Sequence, residues 1–147
     1  MTQSIRERIL QAIVRVLTPL APDQAATVWR TPSAAIPREQ CPALVVLAES
    51  ESLAERANDR VTRELTVRVT ALVRVVPPLV AETQADALLC AAHAALMTDT
   101  NLGGLALGIR EVESEWEVDD ADGVAASVSA RYQITYRTLV ANIAIQG

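Results

Sequence analysis

The chain has 147 residues, a net charge of −5 and a pI near 4.9, and its residues are 50% hydrophobic but only 3% aromatic. This length suits a single domain spanning 1–147, and its core must be aliphatic because phenylalanine is absent. The acidic balance argues against a basic groove that grips nucleic acid by its phosphates. No stretch approaches the ~20 apolar residues of a membrane span, so no membrane partner is expected.

The first predicted element is a helix from Ile5 to Leu20. Ser4 and Glu7 have the S-x-x-E spacing of a capping box, in which each side chain accepts a hydrogen bond from a backbone N–H group at the helix start. Apolar residues then recur at helical spacing and predict one buried stripe. The stripe comprises Ile5, Ile9, Ala12, Ile13, Val16 and Leu20.

Several strands are predicted next. A short strand is expected at Thr27–Arg30, and the continuous apolar run Ala43–Ala48 predicts a strand covered on both faces. The polar stretch 49–60 predicts a long, mobile hairpin loop, with a helical turn at Leu53–Ala57 as an alternative. Strict alternation of apolar and polar residues then predicts a long strand at Leu65–Val75, buried on one face.

A second helix is predicted from Leu79 to Met97, after Pro77 and Pro78 end the long strand. Its buried stripe is expected to comprise Ala81, Ala85, Leu88, Leu89, Ala92 and Leu96. His93 lies between two of these positions and is interpreted as a partly buried structural histidine. The sequence places neither a nucleophile nor an orienting carboxylate beside it.

No residue pattern indicates catalysis. Cys41 and Cys90 lack the CxxC spacing and are predicted to be two reduced, buried thiols. One histidine and two distant cysteines do not make a zinc site, and the glycines form no phosphate-binding motif. We therefore expect no catalytic residue, no metal and no cofactor. An enzyme that uses His93 with Cys90 or an acid is a minor alternative.

The C-terminal segment 111–137 is the most informative part of the sequence, and it predicts a hairpin. Its first half carries acidic residues at strict period two, namely Glu111, Glu113, Glu115 and Glu117. On a regular strand this spacing would put all four carboxylates on one face.

The connection of this hairpin can be predicted from the numbering of its apolar residues. They are even-numbered in both halves, for example Trp116 and Tyr132. Both sets can share one core only if the loop has an odd number of residues, because a one-residue slip would expose every apolar side chain. We predict a three- or five-residue loop within Asp119–Gly123, with Glu111 opposite Arg131.

The acidic face has two interpretations. It is either a solvated sheet face, whose charge discourages edge pairing, or a charged interface. Because carboxylates two residues apart repel each other, basic groups should compensate them. Arg131 and Arg137 on the next strand, Arg68 and Arg74 on the long strand, or a basic residue from a neighbouring subunit could do so.

The order of helix, strand, long loop, long strand, helix and hairpin resembles that of the tail terminator proteins of long-tailed bacteriophages, the lambda minor tail protein U type. The similarity is strongest at Cys41–Leu47, at Leu65–Val75, and in the acidic turn and strand from Asp119 to Tyr136. The family implies an α+β domain with a mixed, mainly antiparallel sheet of four to five strands. Two helices would flank the sheet, and a long C-terminal hairpin would complete it.

The resemblance also implies a structural function in a phage or prophage. Such proteins cap the tail tube as a homo-hexameric ring, stop its polymerisation and present a surface for head attachment. The implied partners are further copies of the chain, the tail tube protein and a head-completion or connector protein, with DNA only passing through the lumen. The expected location is the host cytoplasm during assembly and then the virion tail.

The candidate interface residues lie in the hairpin, the long strand and the predicted loop. They are Glu111, Glu113, Glu115, Glu117, Asp119, Asp120, Asp122, Arg131, Arg68, Arg74, Glu49, Glu51, Glu55 and Arg56. A monomer is expected in dilute solution, because ordering the loop would cost on the order of 1–2 kcal/mol per residue. The apolar extension 138–147 is a further candidate contact. Alternatives are another tail-completion or connector protein, or a small ligand-binding module.

Overall fold

The computed structural model describes residues 2–20, 26–30, 32, 34–119 and 125–147. Within them, two helices and a five-stranded mixed sheet form an α+β fold, which confirms the predicted fold class. The elements in chain order are α1 (Ile5–Leu17), β1 (Thr27–Arg30), β2 (Ala43–Ala57), β3 (Arg60–Arg74), α2 (Ala81–Thr98), β4 (Gly108–Asp119) and β5 (Ala125–Leu139). The strand order is β1-β2-β3-β5-β4, and only the β1–β2 pair is parallel.

Helix α1 begins where the capping pattern predicts. The Ser4 hydroxyl accepts a hydrogen bond from the backbone N–H of Glu7 at 3.1 Å. The Glu7 carboxylate instead forms an ion pair with Arg30 of β1 at 2.6 Å, and this contact lowers the pKa of Glu7. The helix ends at Leu17, three residues before the predicted end.

The core lies between the two helices and one face of the sheet. On that face, alternate residues of β3 and β5 are buried, including Val67 opposite Tyr132 and Val69 opposite Ala130. Five of the six predicted core positions of α2 are buried, and Leu89 is partly exposed. Alternating apolar residues thus specify the face that the helices cover. No described helix combines the length and apolarity needed to cross a membrane.

The predicted loop at 49–60 is wrong, because residues 49–57 belong to β2 and pair with β3. The helical turn considered at Leu53–Ala57 is wrong for the same reason. The chain reverses at residues 58 and 59, where Asn58 has a φ of 58°. Extra residues at Glu49 and Ala54 form β-bulges that interrupt the regular alternation, so the sequence pattern does not show this strand.

Strand β2 is covered on one face, not on both as its apolar run predicts. Leu44 and Val46 are fully buried beneath the helices. Val45 and Leu47 point to the opposite face and are only partly buried. Two apolar side chains of this strand are therefore not fully covered by the described residues.

The two strands of the C-terminal hairpin are separated by an odd number of residues, as predicted. Strands β4 and β5 are separated by five residues, 120–124, which lie outside the described residues. Trp116 pairs with Val128, so Trp116 lies on the same face of the sheet as Tyr132. The predicted odd number of connecting residues is confirmed, but residues 120–124 start and end one position later than the predicted segment Asp119–Gly123.

A β-bulge between Glu111 and Glu113 changes the register of β4. Glu111 pairs with Tyr132, and Glu113 pairs with Arg131, so the predicted Glu111–Arg131 pairing is wrong. The bulge adds one residue, Val112. Odd-numbered side chains before the bulge therefore point to the opposite face of the sheet from odd-numbered side chains after it. Glu111 therefore lies on the helix-covered face, away from the other glutamates of the row.

The C-terminal extension folds back on its own chain. The backbone N–H of Leu139 donates to Ile145 at 3.0 Å, and that of Gly147 donates to Arg137 at 3.3 Å. The carbonyl of Ile143 accepts a hydrogen bond from the N–H of Ile5 at 2.9 Å, at the start of α1. Residues 138–147 thus contact the first helix and the last strand.

Candidate assembly surfaces

Among the described residues, one face of the sheet carries no helix, and we call it the open face. It bears the side chains that alternate with the core residues of β3 and β5. They are Thr62, Glu64, Thr66, Arg68, Thr70 and Leu72 on β3, and Ser127, Ser129, Arg131, Gln133, Thr135 and Arg137 on β5. The face is mostly polar, with Leu72 as the one apolar side chain among these residues, and it carries both acidic and basic groups.

Arg131 is the centre of the charge network on the open face. Its Nε donates to Glu49 at 2.7 Å, and its Nη1 donates to Glu115 at 2.9 Å and lies 3.6 Å from Glu113. The hydrogen bonds from Arg131 to Glu115 and Glu49 raise the pKa of Arg131. One guanidinium thus connects β2 to β4 across the two strands between them, and compensates two glutamates of the acidic row.

Arg68 is the second basic group of the open face. Its Nη1 lies 4.0 Å from Glu49, and its Nε is buried without a hydrogen-bond partner among the described residues. Arg68 borders a shallow depression of about 280 Å³, which is also lined by Glu115, Glu117 and Val45. The open face thus combines apolar, acidic and basic groups in one area.

Four acidic candidates are not placed on this face. Asp120 and Asp122 lie outside the described residues, and Asp119 is described only as the last residue of β4. Glu111 lies on the other side of the sheet because of the bulge. Of the predicted row of four glutamates, Glu113, Glu115 and Glu117 therefore share the open face.

Glu111 instead belongs to a small polar cluster beside α2. Its carboxylate lies 3.0 Å from Nδ1 of His93, and the same nitrogen lies 2.8 Å from the Tyr132 hydroxyl. Burial raises the pKa of Tyr132, and the nearby charge of Glu111 adds to this shift. The expectation that no carboxylate lies beside His93 is wrong, since sequence spacing does not reveal a bulge.

A groove lies between α2 and β4, and we call it the α2–β4 groove. It has a volume of about 260 Å³. Val128, Ala130 and Tyr132 of β5 lie beside Leu89 in its apolar floor. The rim is formed by Asp86, Cys90, His93, Glu111, Ser114 and Trp116.

Two residues of this groove are more exposed than predicted. Trp116 lies on the core side of the sheet but is 56% exposed, because α2 packs mainly over β3 and β5. Cys90 is also exposed, so the prediction of two buried thiols is wrong for Cys90. Cys41 is partly buried, and burial raises the pKa of its thiol. The described hydrogen bonds include none between Cys90 and His93.

The remaining candidates lie on the β2–β3 hairpin or at its base. Glu51 faces the helices, where it pairs with Arg6 at 2.8 Å and Arg63 at 3.2 Å and accepts a hydrogen bond from the Tyr136 hydroxyl. These contacts give Glu51 a role within the fold of the chain. Glu55 and Arg56 are exposed near the hairpin end, and Arg74 is exposed at the end of β3.

Comparisons with known proteins show which fold the chain resembles. No protein-family model matches the sequence, and no curated protein matches it. The fold is similar to that of a chain from the virion of a native gene transfer agent (GTA) particle, with a TM-score of 0.51 and 12% sequence identity. The similarity covers 86% of this chain and 92% of that chain, so the two share a fold over nearly their whole lengths.

Proposed function

We propose that this protein is a structural component of a phage-like particle, and specifically a tail terminator that caps the tail tube as a ring. The similarity of its fold to a virion component, over most of both chains, carries this proposal. The order of elements and the acidic sequence segment Asp119–Gly123 before β5, which carry the resemblance to tail terminators, add support. As a terminator, the protein would stop tube polymerisation and offer a surface for head attachment.

The open face supports an assembly function. Val45 and Leu47 have the pattern of a strand covered on both faces, yet the described chain covers only one. Incompletely covered apolar groups next to complementary charges are typical of surfaces that bind another protein. We propose that a neighbouring subunit or the tail tube protein covers this face in the particle.

The partners follow from the same proposal. Six copies would surround a lumen through which DNA passes, and the net charge of −5 suits passage better than tight binding. A head-completion or connector protein would bind the side away from the tube. The ring would form in the host cytoplasm and remain in the virion tail, and it would act without catalysis or a cofactor.

The free protein is proposed to be a monomer in dilute solution, but for a different reason from the one first expected. Residues 49–57 are already paired in β2, so ring formation does not require ordering a long loop. Charged side chains at the contact between copies must instead lose water on assembly, which makes weak self-association the expected result.

A small-molecule-binding module is the second candidate, and the α2–β4 groove is the observation that favours it. The groove has an apolar floor and several polar groups at its rim. Its volume of about 260 Å³ lies below the range of roughly 300–1,000 Å³ that is usual for ligand pockets. A protein side chain is therefore the better fitting occupant.

Electron microscopy of the protein mixed with tail tubes tests the proposed function. We expect six-fold rings at the tube ends and tubes that no longer elongate. Arg131→Gln should abolish capping because it removes the central charge of the open face, whereas Arg8→Gln, at an exposed position of α1, should leave capping intact. Tubes that stay uncapped by the unmodified protein at every concentration would contradict the proposal.

A further inference from the structure

Two opposite edges of the sheet are unpaired in the described chain. β1 pairs only with Ala43–Val46 of β2, which leaves the outer edge of residues 47–57 without a described partner strand. β4 forms the other edge. Because β2 and β4 are three strand spacings apart, roughly 14 Å, these edges face away from each other. A head-to-tail contact between copies would bring one edge of each kind together.

The β2 edge carries one exposed apolar side chain. Leu53 is 62% exposed, and the other residues of 48–57 are polar, charged or alanine. It pairs with Arg63, and Arg56 lies one bulge further along on the same helix-side face. This edge therefore presents an apolar side chain next to a positive charge.

The α2–β4 groove has the complementary features. Its floor is apolar, and Trp116, 56% exposed, lines one side. Its rim carries the carboxylates of Asp86 and Glu111. An incoming leucine would cover the indole and the floor, and an adjacent arginine would meet negative charge.

We propose that Leu53 of one copy inserts into the α2–β4 groove of the next copy, with Arg56 facing Asp86 and Glu111. This contact is heterologous, since it joins two different surfaces, and repetition around an axis closes a ring. This contact rests on the proposed function, because it presupposes a ring of identical copies. It assigns the subunit interface to side chains on the helix side of the sheet, which leaves the open face for the tube or head partner.

Disulfide trapping tests this contact, because Cys90 already lines the groove and is exposed. The variant Leu53→Cys is made in a Cys41→Ser background and oxidised at a concentration or on tail tubes where rings form. We expect a ladder of cross-linked species beyond the dimer on non-reducing gels, since each copy would carry both thiols of the contact. Adding Cys90→Ser should abolish the ladder.

A matched control separates specific from random cross-linking. Val76 is an apolar residue with 70% exposure, similar to Leu53 but far from the β2 edge, so Val76→Cys should give no ladder. A ladder that persists without Cys90, or one of equal yield from Val76→Cys, would overturn the proposed contact.

Electron microscopy of the same samples distinguishes the two proposals. Rings or capped tubes without a Leu53→Cys ladder would overturn this interface and leave the terminator function standing. A Cys90-dependent ladder without any capping would support the interface and contradict the terminator function. Absence of both the ladder and any assembly would overturn both.

Discussion

Glu51→Gln should destabilise the protein, because Glu51 holds three groups together on the helix side of the sheet. Its carboxylate pairs with Arg63, and the two side chains are only 12% and 11% exposed. Breaking a buried pair costs roughly 3–5 kcal/mol. Arg63 keeps a hydrogen bond to Thr138 at 3.1 Å, and the new amide can still accept from Tyr136, so we expect a loss of about 2 kcal/mol. The pair with the more exposed Arg6 adds little.

Urea unfolding followed by circular dichroism measures this loss. Thermal unfolding should show a fall in Tm of about 4–8 °C, given roughly 2–4 °C per kcal/mol for a domain of this size. Glu55→Gln makes the same chemical change at an exposed position of the same strand and should alter the free energy of unfolding by less than ~0.5 kcal/mol. Equal effects of the two substitutions would refute the assigned role of Glu51.

Three further predictions follow from named contacts. Burial raises the pKa of Tyr132 and Tyr136, the only tyrosines. The stability that these buried phenols contribute is therefore fully present below the unfolded pKa of about 10 and is lost as the pH rises above it. Unfolding and phenolate absorbance, measured together at each alkaline pH, should change over the same pH range. Ser4→Ala should cost about 1 kcal/mol in urea unfolding, and Ser4→Gly only a few tenths. Trp116→Ala should change stability by less than about 1 kcal/mol, yet weaken ring formation, followed by analytical ultracentrifugation at concentrations where rings form, by about 2 kcal/mol. Separate phenolate and unfolding transitions, equal effects at Ser4, or intact rings would contradict them.

The regular parts of the fold could be predicted from periodicity. Alternation in β3 and β5 gives their buried faces, and the even numbering of Trp116 and Tyr132 gives the parity of their connection. Helix α1 was predicted from its cap at Ser4 and its apolar spacing. In each case a local physical rule coincides with the tertiary environment.

The irregular parts could not be predicted, because bulges leave no clear periodic signal. The extra residues at Glu49 and Ala54 made strand β2 look like a loop, and the one at Val112 put Glu111 beside His93. The exposure of Trp116 depends on how much of the sheet α2 covers, which is a tertiary property. The alternation of residues in β4 does not show how far α2 extends over the sheet.

The extra residues at Glu49, Ala54 and Val112 all lie in strands at the outer edges of the sheet. A straight, regular edge is a template on which further strands can add, and a molecule with two such templates could grow into an endless fibre. The local kinks interrupt the continuous ladder that fibre growth requires. In the proposed ring, where identical copies would meet at high local concentration, these kinks would limit association and oppose amyloid-like growth.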